Sequence, residues 1–167
     1  MTAMARVLPS ITESKSNVIR DMWHRLSPIP GGKSVFSRMI GQAAPYTGTV
    51  GAKVLELRTG FSRVEMRDRR AVRNHLRCVH AIALANLVEL TGNVALAYSL
   101  PDDARFIVAG MNLDYLKKAR GTITGTCDCP PIESSDRQEY EVPVILRDPS
   151  GTEVVRATLR TLVGPKE

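Results

Sequence analysis

The chain has 167 residues, 43% hydrophobic and 24% charged, a length and balance that fit one globular domain and exclude a fibrous repeat or a disordered tract. The net charge of +6 favours an anionic partner without naming one. Three cysteines, an odd number, and the lack of a continuous apolar stretch in residues 1–9 argue against a disulfide framework and a secretory leader, so a cytoplasmic location is expected.

Residues 13–26 and 34–44 are predicted helices, separated by Ser27, Pro28, Pro30, Gly31 and Gly32. Val18, Ile19, Met22, Trp23 and Leu26 recur at the spacing of one buried helix face. Two strands are predicted next. Residues 48–58 alternate through Val50, Ala52, Val54 and Glu56, residues 61–67 through Ser62, Val64 and Met66, and Thr59 and Gly60 form the turn between them. Residues 66–77 then carry Arg67, Arg69, Arg70, Arg73 and Arg77 against Asp68 alone. A solvated loop is the ordinary reading of such a run. No helix-turn-helix, zinc-finger or aromatic RNA-binding signature accompanies it, so nucleic acid is not expected, while coenzyme phosphates stay open.

The longest predicted helix covers residues 79–98 and stops before Pro101. Residues 81–100 hold one charge, Glu89, and reach the length of a membrane span. Asn86, Glu89, Gly92 and Asn93 within that stretch favour a buried helix of a soluble protein instead, since a carboxylate and two amides are expensive in a bilayer. Strands are predicted over residues 105–116, 121–127, 138–147 and 153–163, with Asp148, Pro149, Ser150 and Gly151 as a turn. Cys127 and Cys129 have no further thiol pair or histidine cluster to complete a zinc site, and no metal is expected.

A lone apolar helix set between a hairpin and a four-strand meander must be wrapped by the sheet, because nothing else can cover it. The expected fold is therefore α+β, a hot-dog core over residues 48–165 with a helical extension over residues 1–47, in a single domain. On the central helix Glu89 is the only ionisable group apart from Tyr98, and Asn86 and Asn93 extend it into one polar stripe. A carboxylate there is expected either to gain proton affinity through burial or to be held by the amides. A purely structural polar network or a dimer contact is the alternative.

The segment Asn74-His75-Leu76-Arg77-Cys78-Val79-His80-Ala81-Ile82 resembles the N-x-x-G-x-x-H-G-G stretch of the phenylacetate-pathway type of hot-dog acyl-CoA thioesterases. Glu89, nine residues after His80, falls where that family carries its catalytic Asp or Glu, and residues 111–121 look like its strand ending in a basic turn. The resemblance covers about residues 49–163. Arg77, Ala81 and Ile82 stand at family glycine positions, which brings the chain closer to a DUF4442-like branch of hot-dog domains.

The resemblance implies hydrolysis of an acyl-CoA or a related thioester, with Glu89 as base or nucleophile and the N–H groups of about Ala81 and Ile82 as oxyanion donors. Asn74 and His80 would shape the site, as would Asn86 and Asn93 of the stripe, although a turn and a helix cap are the plainer roles of the first two. CoA would enter as substrate, with no cofactor, and Arg73, Arg77, Lys117, Lys118 and Arg120 are candidates for its phosphates. Nine residues of helix separate His80 from Glu89 by about 13.5 Å of rise and about half a turn, so a site composed across a homodimer or homotetramer is expected. A hot-dog hydratase resembles a different pattern, an Asp five residues before a His, which His24, His75 and His80 all lack. A non-catalytic acyl- or CoA-binding or assembly module remains the second reading.

Overall fold

In the computed structural model, which describes residues 14–166, helix α1 (Val18–Leu26) starts only after Asn17, whose side-chain carbonyl accepts from the Arg20 N–H at 3.0 Å. The predicted start at residue 13 lies outside the described residues. Helix α2 (Gly32–Ala43) packs on α1 through Phe36, which meets the ring of Trp23 edge-on at 5.1 Å. A four-residue helix, α3 (Pro45–Gly48), occupies the ground where the first strand was expected to begin. Pro45 opens it, since proline suits the first helical turn.

Strand β1 (Lys53–Arg58) is correspondingly shorter than predicted. A bulge between Val54 and Glu56 shifts its alternation, so Val54 and Leu57 face the core and Glu56 does not. The outer edge of β1 is guarded by α2: Lys33 Nζ donates to Leu55 O at 2.7 Å and the Val54 N–H donates to Ser37 Oγ at 2.9 Å. Strand β2 (Phe61–Met66) buries Ser62, Val64 and Met66, as its alternation predicts.

Helix α4 (Ala81–Ser99) is followed by β3 (Ala104–Tyr115), β4 (Ile123–Asp128), β5 (Gln138–Arg147) and β6 (Glu153–Pro165). All six strands form one antiparallel sheet in the order β1-β2-β4-β5-β6-β3, wrapped around α4 as the hot-dog fold requires. The expected four-strand meander is corrected in one respect. Only β4, β5 and β6 run as a meander, while β3 lies at the far edge beside β6, and the chain then returns to lay β4 against β2. With 12 and 13 residues, β3 and β6 are the longest strands and pair along nearly their whole length.

The helix approaches the sheet closely where its residues are small. A Cβ on Gly92 would lie 2.3 Å from Leu159 Cδ1, so any side chain there would make the buried Leu159 shift. The Ser62 hydroxyl donates to Thr91 O at 2.6 Å across the same contact. Leu87, Val88, Ala95 and Leu96 are wholly buried in the resulting core. Helix α4 has the length and apolarity of a membrane span, but 61% of its apolar window is buried inside the fold, which makes it the core helix of the sheet.

Candidate active site

The arginine-rich segment before α4 is folded by its polar residues. Asn74 Oδ1 accepts from the N–H groups of Leu76 at 2.9 Å and Cys78 at 3.3 Å, and the Asn74 N–H donates to Cys78 O at 2.9 Å. Asn74 thus acts on the loop's own backbone. Arg77 takes φ 56°, the one non-glycine residue among those described with positive φ, so the loop keeps a glycine-like conformation where the thioesterase pattern has glycine.

Asp68, the single acid of the run, is the anchor that sequence reasoning missed. Its carboxylate accepts from Arg73 Nε at 2.6 Å and from the Gly121 N–H at 3.0 Å. The Arg73 hydrogen bond holds its pKa below the ordinary 3.8, and the nearby charge of Arg120 adds to the effect. Arg73 and Arg120, from separate stretches, therefore converge on one carboxylate. Lys117 instead lies in the field of Asp148. Arg77 and Lys118 are exposed, and their side chains have no polar partner among the described residues.

At the start of α4, His80 is the N-cap, and its Nδ1 accepts from the Ile82 N–H at 3.1 Å. One of the two expected oxyanion donors is therefore engaged by the histidine ring, while the N–H groups of Ala81 and Ala83 have no acceptor among the described residues. Tyr115 Oη donates to Ala81 O at 3.0 Å, tying strand β3 to the helix start, and partial burial raises the phenol's pKa. A cavity of about 200 Å³ opens beside this turn, bounded by Tyr46, Thr49, Arg73, His80, Ala83 and Asn86.

Asn86, Glu89 and Asn93 lie on the face of α4 that the sheet covers least, together with Ile82 and Ala85. Glu89 is half-buried and makes no hydrogen bond or ion pair among the described residues, so the amides do not hold its carboxylate. Asn86 is 5% exposed. Its Nδ2 donates to Tyr46 O at 3.2 Å, whereas its Oδ1 is buried without a partner among the described residues, and Asn93 Oδ1 is in the same state. A buried acceptor left unpaired costs about 1–3 kcal/mol, so both amide oxygens call for a donor, a water molecule or a ligand, at this face.

The apolar surface beside this stripe is also open. Met111 and Tyr115 of β3 pair with Leu159 and Val155, both fully buried, and so lie on the helix side of the sheet; they are nevertheless 41% and 49% exposed. Cys127 and Cys129 are buried free thiols, and burial pushes Cys129 up to about 12 and Cys127 higher. Among the described residues, no three His, Cys, Asp or Glu side chains gather into a metal-binding group.

The family described as a domain of unknown function (DUF4442) matches residues 32–163. No curated protein matches the chain. Among solved structures, that of a genomics target is 33% identical, with a TM-score of 0.77 over 88% of this chain and 98% of its own. A Pseudomonas aeruginosa protein of unknown function, called a probable thioesterase, is 19% identical with a TM-score of 0.69 over 82% and 97% of the two chains. A mutant thioesterase enzyme from Staphylococcus aureus is 14% identical with a TM-score of 0.65 over 72% and 99%. At such identities these last two share the fold.

Proposed function

The chain belongs to the DUF4442 family, and from its hot-dog frame and the chemistry at α4 we propose that it is a hydrolase of acyl thioesters, acyl-CoA or a related compound, acting as a cytoplasmic homo-oligomer. The observation that carries this reading is Glu89, a half-buried carboxylate on the least covered face of the core helix with no hydrogen bond or ion pair among the described residues. The thioesterases among its structural relatives support the same class of reaction.

In this reading Glu89 removes a proton from a water molecule whose oxygen attacks the thioester carbonyl carbon, or attacks that carbon directly. The developing oxyanion is met by free N–H groups at the start of α4, those of Ala81 and Ala83, with Ile82 available once His80 releases it. When water attacks, collapse breaks the carbon–sulfur bond and the departing thiolate takes the proton held by Glu89; when Glu89 attacks directly, collapse releases the thiolate and leaves an acyl anhydride on Glu89, which water then hydrolyses to the free acid, its proton passing to the thiolate. Asn86 and Asn93 offer acceptors to substrate N–H or O–H groups, His80 and Asn74 shape the helix start, and Arg73 with Arg120, then Arg77, Lys117 and Lys118, meet the phosphates of CoA.

Because nine residues of helix separate His80 from Glu89, a two-fold partner supplies one half of each site. The 12-residue strand β3 at the edge of the sheet and the open face around Met111 and Tyr115 suit that partner. The test is thiol release from a panel of acyl-CoAs, with wild type beside Glu89→Ala. Loss of about 100-fold or more in turnover with the oligomer intact is expected. Equal turnover in the variant overturns the mechanism, and tight binding without turnover in the wild type replaces it by the acyl-binding module.

A further inference from the structure

A second, larger cleft lies on the other side of α3. It measures about 760 Å³, within the roughly 300–1,000 Å³ of small-molecule sites, and separates α2 and α3 from the start of β1. Its wall depends on glycine: α2 and α3 touch at Gly41 and Gly48, where a Cβ on Gly48 would lie 2.6 Å from Gly41 O. The apolar part of its lining, its floor, is made by Ile40, Ala52, Val54 and Leu90, while Ser37, Gln42, Thr47 and Thr49 add polar groups to the walls. At the rim stand Arg38 and Lys53, both exposed and neither with an acceptor among the described residues.

An apolar floor under two uncompensated cations is matched by a molecule that is aliphatic along its length and anionic at one end. Burial of methylene groups contributes about 0.8 kcal/mol each, and a charge-assisted contact at the mouth fixes orientation. A polar ligand would leave the floor unused, and a neutral chain would leave both cations without a counter-charge. Leu90 stands next to Glu89 and one helical turn beyond Asn86, and Thr49 lines both this cleft and the smaller cavity at the helix start. The two spaces thus follow one another along one face of α4.

We propose that this cleft is a binding site for an aliphatic chain with an anionic end, the end held by Arg38 and Lys53. The anion is either a carboxylate on the chain itself or a phosphate of the chain's carrier. The site is a matter of binding and does not require turnover at Glu89.

The test displaces a fluorescent fatty-acid analogue from the full chain with decanoate, decyl phosphate and decanol. Decanoate or decyl phosphate should bind, and binding should weaken about tenfold in Arg38→Gln/Lys53→Gln, while decanol is unaffected by that change. Ala52→Trp, which fills the floor, should remove all three, with circular dichroism checking that each variant is folded. Tighter binding of decyl phosphate assigns the rim to a phosphate end, and tighter binding of decanoate assigns it to a carboxylate. Glu89→Ala should bind decanoate as wild type does, which separates this site from the hydrolytic reading. Absence of binding by every chain, or anion affinity unchanged in the folded charge variant, overturns the proposal.

Discussion

At Arg77 the backbone takes φ 56°, a left-handed conformation that costs an L-residue about 1–2 kcal/mol and costs glycine nothing. The side chain has no polar partner among the described residues to offset that strain. Glycine gives back about 0.5–1 kcal/mol through its freer unfolded state, which is less than the strain it relieves. Arg77→Gly is therefore expected to raise stability by about 0.5–1 kcal/mol in urea unfolding; a loss would show that the Arg77 side chain contributes more than the strain costs. The substitution is informative beyond stability, because it restores the residue of the thioesterase pattern at the turn leading into His80. Asn86 and Glu89 pose the opposite case at this scale. Both were legible as one polar stripe from their spacing, but their lack of a mutual bond was not, because which way an amide points depends on the Tyr46 carbonyl that α3 brings to it.

Among the elements, α1 and α4 are tied by His24 Nε2 with Tyr98 Oη at 2.7 Å and, at their ends, by Asn17. Asn17 Nδ2 donates to the carbonyls of Ala97, Tyr98 and Leu100 at 2.7, 3.3 and 3.0 Å, while its Oδ1 caps α1. The last turn of the core helix and the first turn of α1 thus share a single buried side chain. Asn17→Ala removes a cap worth about 1 kcal/mol and strands buried carbonyls at about 1–3 kcal/mol, so a loss of about 2–4 kcal/mol is expected on thermal or urea unfolding. A loss below about 0.5 kcal/mol would mean that water replaces the amide without penalty. Strand β2 was readable residue by residue because its alternation is local. Helix α3 was not, since four residues carry too little periodicity to outweigh the strand-like run that follows them.

For the whole molecule, the decisive feature is the placement of β3 at the far edge, with its helix-side residues open. A long edge strand beside an apolar patch exposes pairing groups, and in the proposed homo-oligomer a second copy would close that edge and bring another Glu89 toward the helix start. Met111→Arg sets a charge in that open face and is expected to shift the protein to monomer in size-exclusion chromatography with light scattering, and to abolish thioester turnover while leaving the far-ultraviolet circular dichroism intact. An unchanged oligomer with full activity would show that the composite site is assembled through another face.

Local chemistry in the chain was enough to determine the apolar core helix, the β2 alternation, the polar stripe of Asn86, Glu89 and Asn93, and the helix start at His80, because each is written in the spacing of neighbouring residues. Tertiary structure alone decided that β3 pairs with β6, that Asp68 gathers Arg73 and Gly121, and that α2 and α3 enclose a cleft over Leu90. These arise from contacts between residues far apart in sequence or from competition among nearby hydrogen-bonding partners. Hydrophobic period records which face of an element is buried, but not which distant element buries it.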